Sequence, residues 1–294
     1  SGARRSMPGM METVLNVGMN EATVAGLIKK THNPRFVYDS QRRFIQMYAD
    51  VVMEKAGGVE VEDHGGIRWK LETLMHEYKV RKGVESDLDL TDEDLRELII
   101  QYKAKVQEVF RRQFPEDPHE QLFGAINAVF AAWNGKRAVS YRRIENIPDA
   151  WGTAVTVQTM VFGNRGDASA TGVGFTRNPA TGEDVFYGEW LQNAQGEDVV
   201  SGSRTPNPIN EASKNDQNRG HATLQEAMPK VYRDLEDFRK KLERHYREML
   251  DLEFTVEQGR LWILQCRVGK RNGSAAVRIA LDMLKQKLIT REMA

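Results

Sequence analysis

With 294 residues, the chain has room for one large domain or two small ones. Its 42 basic and 42 acidic side chains cancel, so no bulk attraction draws it to nucleic acid or to a membrane surface. A lone cysteine, Cys266, excludes an internal disulfide and suits a reducing, cytoplasmic compartment. No run approaches the roughly 20 apolar residues of a membrane span, and the first residues lack the hydrophobic core of a signal peptide.

In chain order, residues 1–19 read as a loop rich in Gly, Ser, Pro and Met. From about 20 to 117 the pattern is helical. Its clearest stretch follows Thr91 as N-cap, with Leu95, Leu98, Ile99, Tyr102, Val106, Val109 and Phe110 on one stripe. Gly57-Gly58 and Gly65-Gly66 punctuate a loop around His64. A further helix carries Leu122, Ile126, Val129, Phe130 and Trp133 and returns the chain to its main body. Strands are expected over Thr153–Phe162, Ala170–Thr176, Asp184–Trp190 and Glu197–Val200, separated by Gly- and Asn-containing turns. The polar stretch Ser203–His221 reads as a surface excursion. After Pro229 an amphipathic helix turns Val231, Leu235, Phe238, Leu242, Tyr246 and Met249 inward. A last helix, with Val277, Leu281, Leu284 and Leu288, starts near Ser274. The class is α+β: a largely antiparallel sheet with flanking helices over 118–294, a helical insert over 20–117, and the loop 1–19.

The most informative stretch lies between these last two helices. Asp251–Val256 and Leu261–Arg267 both alternate, and the intervening Gln258-Gly259-Arg260 suits a hairpin with glycine free to take positive φ. Alternation sets Asp251, Glu253 and Thr255 against Leu252, Phe254 and Val256. On the second strand it sets Gln265 and Arg267 against Trp262, Leu264 and Cys266. Glu253 then faces Gln265 and Asp251 faces Arg267. Mg²⁺ takes one or two carboxylates plus phosphate oxygens, and arginine forks onto phosphate, so these four residues suit a metal-bound polyphosphate. The alternative is a solvated face closed by cross-strand ion pairs, and from alternation alone it is the weightier reading.

Other clusters carry weaker signals. Ser1–Gly9 combines small residues with Arg4 and Arg5, which suits an anion or a plain terminal loop. Arg42 and Arg43 are neighbours on a helix and project about 100° apart, so a solvated face accounts for one of them. Gln192–Asp198 could read a ribose or serve as turn chemistry. The six histidines are scattered without metal-ligand spacing, and Cys266 suits a small buried hydrophobe better than a nucleophile. Neither a Walker A sequence nor a Gly-x-Gly-x-x-Gly fingerprint occurs, so a nucleotide would bind by another scheme.

Six blocks then carry a resemblance. SGARRSMPGMMETVLNVGMN (1–20), NPRFVYDSQRRFIQMYADVVM (33–53), WGTAVTVQTMVFGN (151–164), GVGFTRNPATGE (172–183), GEWLQNAQGEDVVSG (188–202) and LEFTVEQGRLWILQCR (252–267) resemble pyruvate phosphate dikinase. They match the ATP-grasp nucleotide-binding domain at the start of that enzyme, in the same order and over nearly the whole chain. Phosphoenolpyruvate synthase shares the general domain, but the opening SGARxSMPGMM pattern favours the phosphate-using dikinase.

The resemblance implies a domain that binds MgATP and directs its β-phosphate at a histidine on a separate swivelling domain. A distant barrel domain then converts pyruvate to phosphoenolpyruvate, with AMP and pyrophosphate as the other products. Such transfer depends on positioning and charge neutralisation. Implied Mg²⁺ and triphosphate ligands are Glu253 and Gln265, with Asp251 supporting. Arg43 and Arg267 would neutralise phosphate charge, and the loop over residues 1–11, with Arg4 and Arg5 as ATP-binding residues, would close over it. Gln158 to Val161, Met160 included, would lie along adenine, with Gln195 and Glu197 nearby. The phosphoacceptor histidine has no counterpart here, nor have the family's phosphate-contacting lysine and the arginine before the SGAR block, and Cys266 stands where threonine is usual. Both ends read as cut, so the expectation is a part of a homo-oligomeric enzyme that is inactive alone. The alternatives are a non-catalytic ATP-binding module, an interaction protein built on the helical insert, or another dikinase.

Overall fold

The structure is a computed structural model that describes residues 2–5, 7, 9–58, 65–200 and 204–294. The readings made on His64, Ser1 and Ser203 lie outside the described residues. The chain divides into two compact units, residues 1–160 and 161–294. No helix among the described residues is long and apolar enough to cross a membrane.

The first unit is helical: α1 (Glu21–Thr31), α2 (Pro34–Tyr48), α3 (Ile67–Lys82), α4 (Asp92–Phe110), α5 (Pro118–Ala132) and α6 (Lys136–Ile144). Helix α2 runs on into a π-helical stretch, Ala49–Lys55. Helix α4 begins where the expected cap lies. Thr91 Oγ1 accepts from Asp94 N and the Asp94 carboxylate accepts from Thr91 N, while Asp92, Glu93 and Asp94 oppose the helix dipole. Leu95, Leu98, Ile99, Tyr102 and Val106 are buried as the stripe requires. Helix α4 packs on α2, whose Phe36, Val37, Phe44 and Ile45 are likewise buried, each side chain contributing about 1.5–3 kcal/mol by leaving water.

Helix α5 departs from expectation. Its buried face is Gln121, Ala125, Ala128 and Val129, whereas Phe130 is exposed. Small residues win because the helix lies close to its neighbour: a Cβ at Gly124 would fall 2.2 Å from the Tyr48 hydroxyl. The expected strand over Thr153–Phe162 is absent. The segment has no regular secondary structure, and its Ala154 carbonyl accepts from Gly2 N at 2.6 Å. A strand pattern is realised only when another strand takes up its backbone groups.

The second unit contains β1 (Ala170–Phe175), β2 (Tyr187–Gln192), α7 (Gly196–Val200), β3 (Asn207–Pro208), α8 (Leu224–Ala227), α9 (Pro229–Tyr246), β4 (Leu250–Glu257), β5 (Arg260–Val268) and α10 (Gly273–Lys285). All strand pairs are antiparallel, in the order β3-β2-β1-β4-β5. One sheet face packs Trp190, Leu250, Leu252, Phe254 and Val256 against Leu224, Val231 and Leu235 of α8 and α9. Glycines in β1 make room for the rings. A Cβ at Gly172 would come within 2.3 Å of Phe254, and one at Gly174 within 2.7 Å of Phe186.

Four further expectations change here. Glu197–Val200 is a helical turn, not a strand, because Asp198 accepts from Gln195 N at 2.9 Å and closes the turn. The stretch after residue 203 is partly structural. Its Asn207–Pro208 strand extends the sheet, Ile209 is fully buried, and Asn210 Nδ2 donates to Phe186 O at 2.7 Å. On α9, Phe238 and Tyr246 are exposed while Arg239 and Glu243 are buried, because Arg177 forks onto Glu243 and Arg239 pairs with Asp184. On α10, Ala275, Ile279 and Met283 face Met249 and Phe175, leaving Val277 and Leu281 exposed.

Candidate nucleotide-binding face

The hairpin takes the expected register: Glu253 opposes Gln265 and Asp251 opposes Arg267. Its connection is tighter than expected. Glu257 pairs with Arg260, leaving a two-residue turn with Gln258 at φ 50° and Gly259 at φ 76°. Positive φ at both centres matches the right-handed twist of the strands. Arg267 lies between the two carboxylates, with Nε donating to Asp251 Oδ2 and a terminal nitrogen to Glu253 Oε1, both at 2.9 Å. The three side chains are between a fifth and two-fifths exposed, and Gln265 beside them is exposed. A guanidinium, two carboxylates and an amide therefore share one solvent-facing patch of a rigid sheet.

A bulge overturns part of the alternation. Glu253 pairs with Gln265 but Phe254 pairs with Ile263, so Leu264 is an extra residue. Leu264 is 41% exposed instead of apolar-facing. Ile263 takes its place against the core, together with Leu261 and Cys266. Trp262 swings to the polar side opposite Thr255, under the Arg260 guanidinium at 4.1 Å.

Register extends the face across the sheet. Glu189, Val173, Glu253 and Gln265 form one row, and Leu191, Thr171, Thr255 and Trp262 the next. Sequence reasoning passed over Glu189, although its alternation with buried Gly188 and Trp190 marks it as outward. Helix α7 covers the second row: Leu191, Ala194 and Val199 pack together with Val173 beside them. Thr171 Oγ1 donates to Ala194 O at 2.8 Å and lies 3.4 Å from Thr255 Oγ1. Gln195 follows Ala194 directly and is 5% exposed, and Glu197 sits half-buried in the first turn of α7. Among the described residues no three His, Cys, Asp or Glu side chains come together as a metal cluster.

The remaining candidates are in or beside the first unit. Arg4 stacks over the Trp151 ring at 4.9 Å, and Arg5 donates to Glu145 O at 3.4 Å. Their loop is anchored by Met7, buried with Trp133, Ala138 and Ile147. Arg142 braces that seat, donating to Asp149 Oδ1 at 2.8 Å and to Trp133 O while stacking on Trp133 at 4.1 Å. The sequence reading missed Trp151 and Arg142, and nothing in their spacing pairs them with the loop. Arg43 is largely spoken for: its Nε donates to Asp39 at 2.9 Å, and the buried Arg42 bonds the same carboxylate at 2.8 Å. Burial works against ionisation of Asp39, yet Arg43 and Arg42 hold its carboxyl well below the usual range. Gln158 is exposed and Met160 and Val161 are half-buried, in backbone without regular structure.

Comparison with known proteins adds a family. The chain matches the family described as pyruvate phosphate dikinase, AMP/ATP-binding domain, over residues 2–236 and 211–288. The chain belongs to this family. Similar proteins include the pyruvate, phosphate dikinases of Clostridium symbiosum, 51% identical over 295 residues, and of Rhizobium meliloti, 50% identical over 294. Both alignments cover 100% of the chain. The chloroplastic enzyme of Flaveria pringlei is 52% identical over 289 residues, 98% of the chain. The chain spans 31%, 32% and 28% of the lengths of these three dikinases.

Proposed function

We propose that the hairpin face binds the triphosphate of ATP as the nucleotide-binding part of a pyruvate phosphate dikinase. The observation that supports this most directly is Arg267 held between Asp251 and Glu253 with Gln265 alongside. The donor set fits Mg²⁺, which is bound through one or two carboxylates plus phosphate oxygens and keeps the rest of its shell as water. Glu253, Asp251 and the Gln265 amide oxygen would hold it, and when bound it neutralises phosphate charge. Arg267 would fork onto a phosphate, its planar donors already fixed in direction by the two carboxylates. A rigid sheet suits this work because positioning and charge compensation carry phosphoryl transfer.

The reading rests on the second unit alone. For Arg4, Arg5, Arg43, Gln158, Met160, Val161 and Glu197, family membership is the support for a role with ATP. The histidine domain that would receive the β-phosphate, the barrel that would bind pyruvate, and a homo-oligomeric whole are proposed on the same ground. The test is isothermal titration of MgATP into the protein beside a Glu253→Ala, Gln265→Ala double variant. Magnesium-dependent heat that vanishes in the variant supports the reading, and equal heat in both refutes it.

A further inference from the structure

Helix α10 is apolar on two faces, and the fold covers one of them. Ala275, Ile279 and Met283 are buried in a cluster with Met249. Val277, Leu281 and Leu284, four and then three residues apart, form a second stripe. Val277 is 63% exposed, Leu281 51%, and Leu284 half-buried. The spacing is that of a helix seam meant for another helix. Past α10 the chain turns at Lys287, with φ 59°, and Leu288 N donates back to Met283 O at 2.9 Å. Leu284, Leu288 and Ile289 thereby line a cavity of about 600 Å³, so the stripe runs into it.

The rim of that cavity is basic. Arg244 and Arg247, at the end of α9, and Lys287 line it, all exposed, and among the described residues no acidic side chain does. None of the three cations makes a side-chain hydrogen bond or ion pair among the described residues. Lys240 and Lys241 continue the positive edge along α9, with Asp237 between them and its start. The helix dipole stabilises cations in a last turn by about 0.3–1 kcal/mol each. It accounts for their charge but not for an apolar stripe left in water beside them. A second copy of the chain is a poor occupant, because the one acid of α10, Asp282, is already paired with Arg278 and Lys285. Cations would then meet cations.

The chain spans about a third of the dikinases it matches, so those enzymes hold further segments able to reach this face. We propose that α10 and the cavity beside it dock an amphipathic helix from the remainder of the dikinase polypeptide, with its apolar side on Val277, Leu281 and Leu284 and its carboxylates among Arg244, Arg247 and Lys287. The docking is independent of the triphosphate reading of the hairpin.

The test is maleimide labelling of Leu281→Cys in a Cys266→Ser background, for the chain alone and for the chain as part of a whole dikinase polypeptide. Docking slows labelling about tenfold or more in the whole polypeptide only, a closed state favoured by about 1.4 kcal/mol. Carbodiimide then couples Lys287 to an Asp or Glu outside these 294 residues, and an Arg244→Glu, Lys287→Glu double variant restores fast labelling. Equal labelling of the two forms overturns the proposal. So does labelling of the chain alone that slows as its concentration rises, which makes the face a contact between copies. Protection that survives the charge reversal overturns the acidic occupant. Should Leu281→Cys fail to fold, Val277→Cys carries the same comparison.

Discussion

Replacing Arg267 with Met decides between the two readings of the hairpin. The substitution keeps the bulk of the stem and removes the guanidinium that bridges Asp251 and Glu253. Each pair is partly exposed, with side-chain exposures of 30% for Arg267, 21% for Asp251 and 37% for Glu253, so solvent screens both. Such pairs contribute about 0.2–1 kcal/mol each. The two carboxylates left behind stand two residues apart on β4 and repel by a similar amount. The unliganded protein therefore loses about 1–2 kcal/mol, read as a fall in the urea midpoint. Binding responds more strongly, because a charge-assisted bond from arginine to phosphate contributes about 1.5–3 kcal/mol, or roughly 10–150-fold in affinity for MgATP by titration calorimetry. Arg267→Lys falls between, keeping the charge and losing the fork. A stability loss above about 3 kcal/mol with MgATP affinity within about twofold of the parent would show that Arg267 is only a strand clamp.

Other expectations follow from the same geometry. Gly172→Ala forces a Cβ to 2.3 Å from the Phe254 ring and 2.8 Å from Glu189 O, so it destabilises by about 1–3 kcal/mol or more in urea unfolding. Pairing it with Phe254→Leu recovers only part of this, since the carbonyl contact remains. The bulge predicts that Leu264→Ser changes stability by less than about 0.5 kcal/mol, while Ile263→Ser costs about 2 kcal/mol. Strict alternation predicts the reverse order, and the same unfolding assay decides. In the first unit Asp39 and Asp94 titrate well below the usual carboxylate range: at Asp39 burial is outweighed by Arg43 and Arg42, and at Asp94 the chief cause is its bond from Lys82. Depressed folded values give stability that is present above the unfolded value of about 3.9 and lost as pH falls below it. Circular dichroism at 222 nm should show helix loss below about pH 4, with a shallower pH dependence in Asp39→Asn, and an unchanged slope would refute the assignment.

Local chemistry determined a good deal about this protein. Thr91 and Asp94 close a capping box that needs only four consecutive residues, and the stripe from Leu95 to Val106 follows from helical period. The hairpin register follows from alternation and a Gly-containing turn, so the pairing of Glu253 with Gln265 is legible in the two strand sequences themselves. Apart from Glu197–Val200, whose turn is closed locally by Asp198 on Gln195 N, most failed readings turned on a partner far along the chain. Thr153–Phe162 has a strand pattern but no strand ladder, α5 buries alanines because Tyr48 stands against Gly124, and α9 buries Arg239 and Glu243 because Arg177 and Asp184 pair with them. The bulge at Leu264 arises between paired strands, and neither strand announces it. The stacking of Arg4 on Trp151 and the basic-rimmed cavity beside Leu284 are facts of assembled neighbours in the same sense. Periodicity and capping report interactions within a few residues, whereas burial, close approach and the satisfaction of polar groups depend on which distant segments meet, and that only the tertiary structure decided.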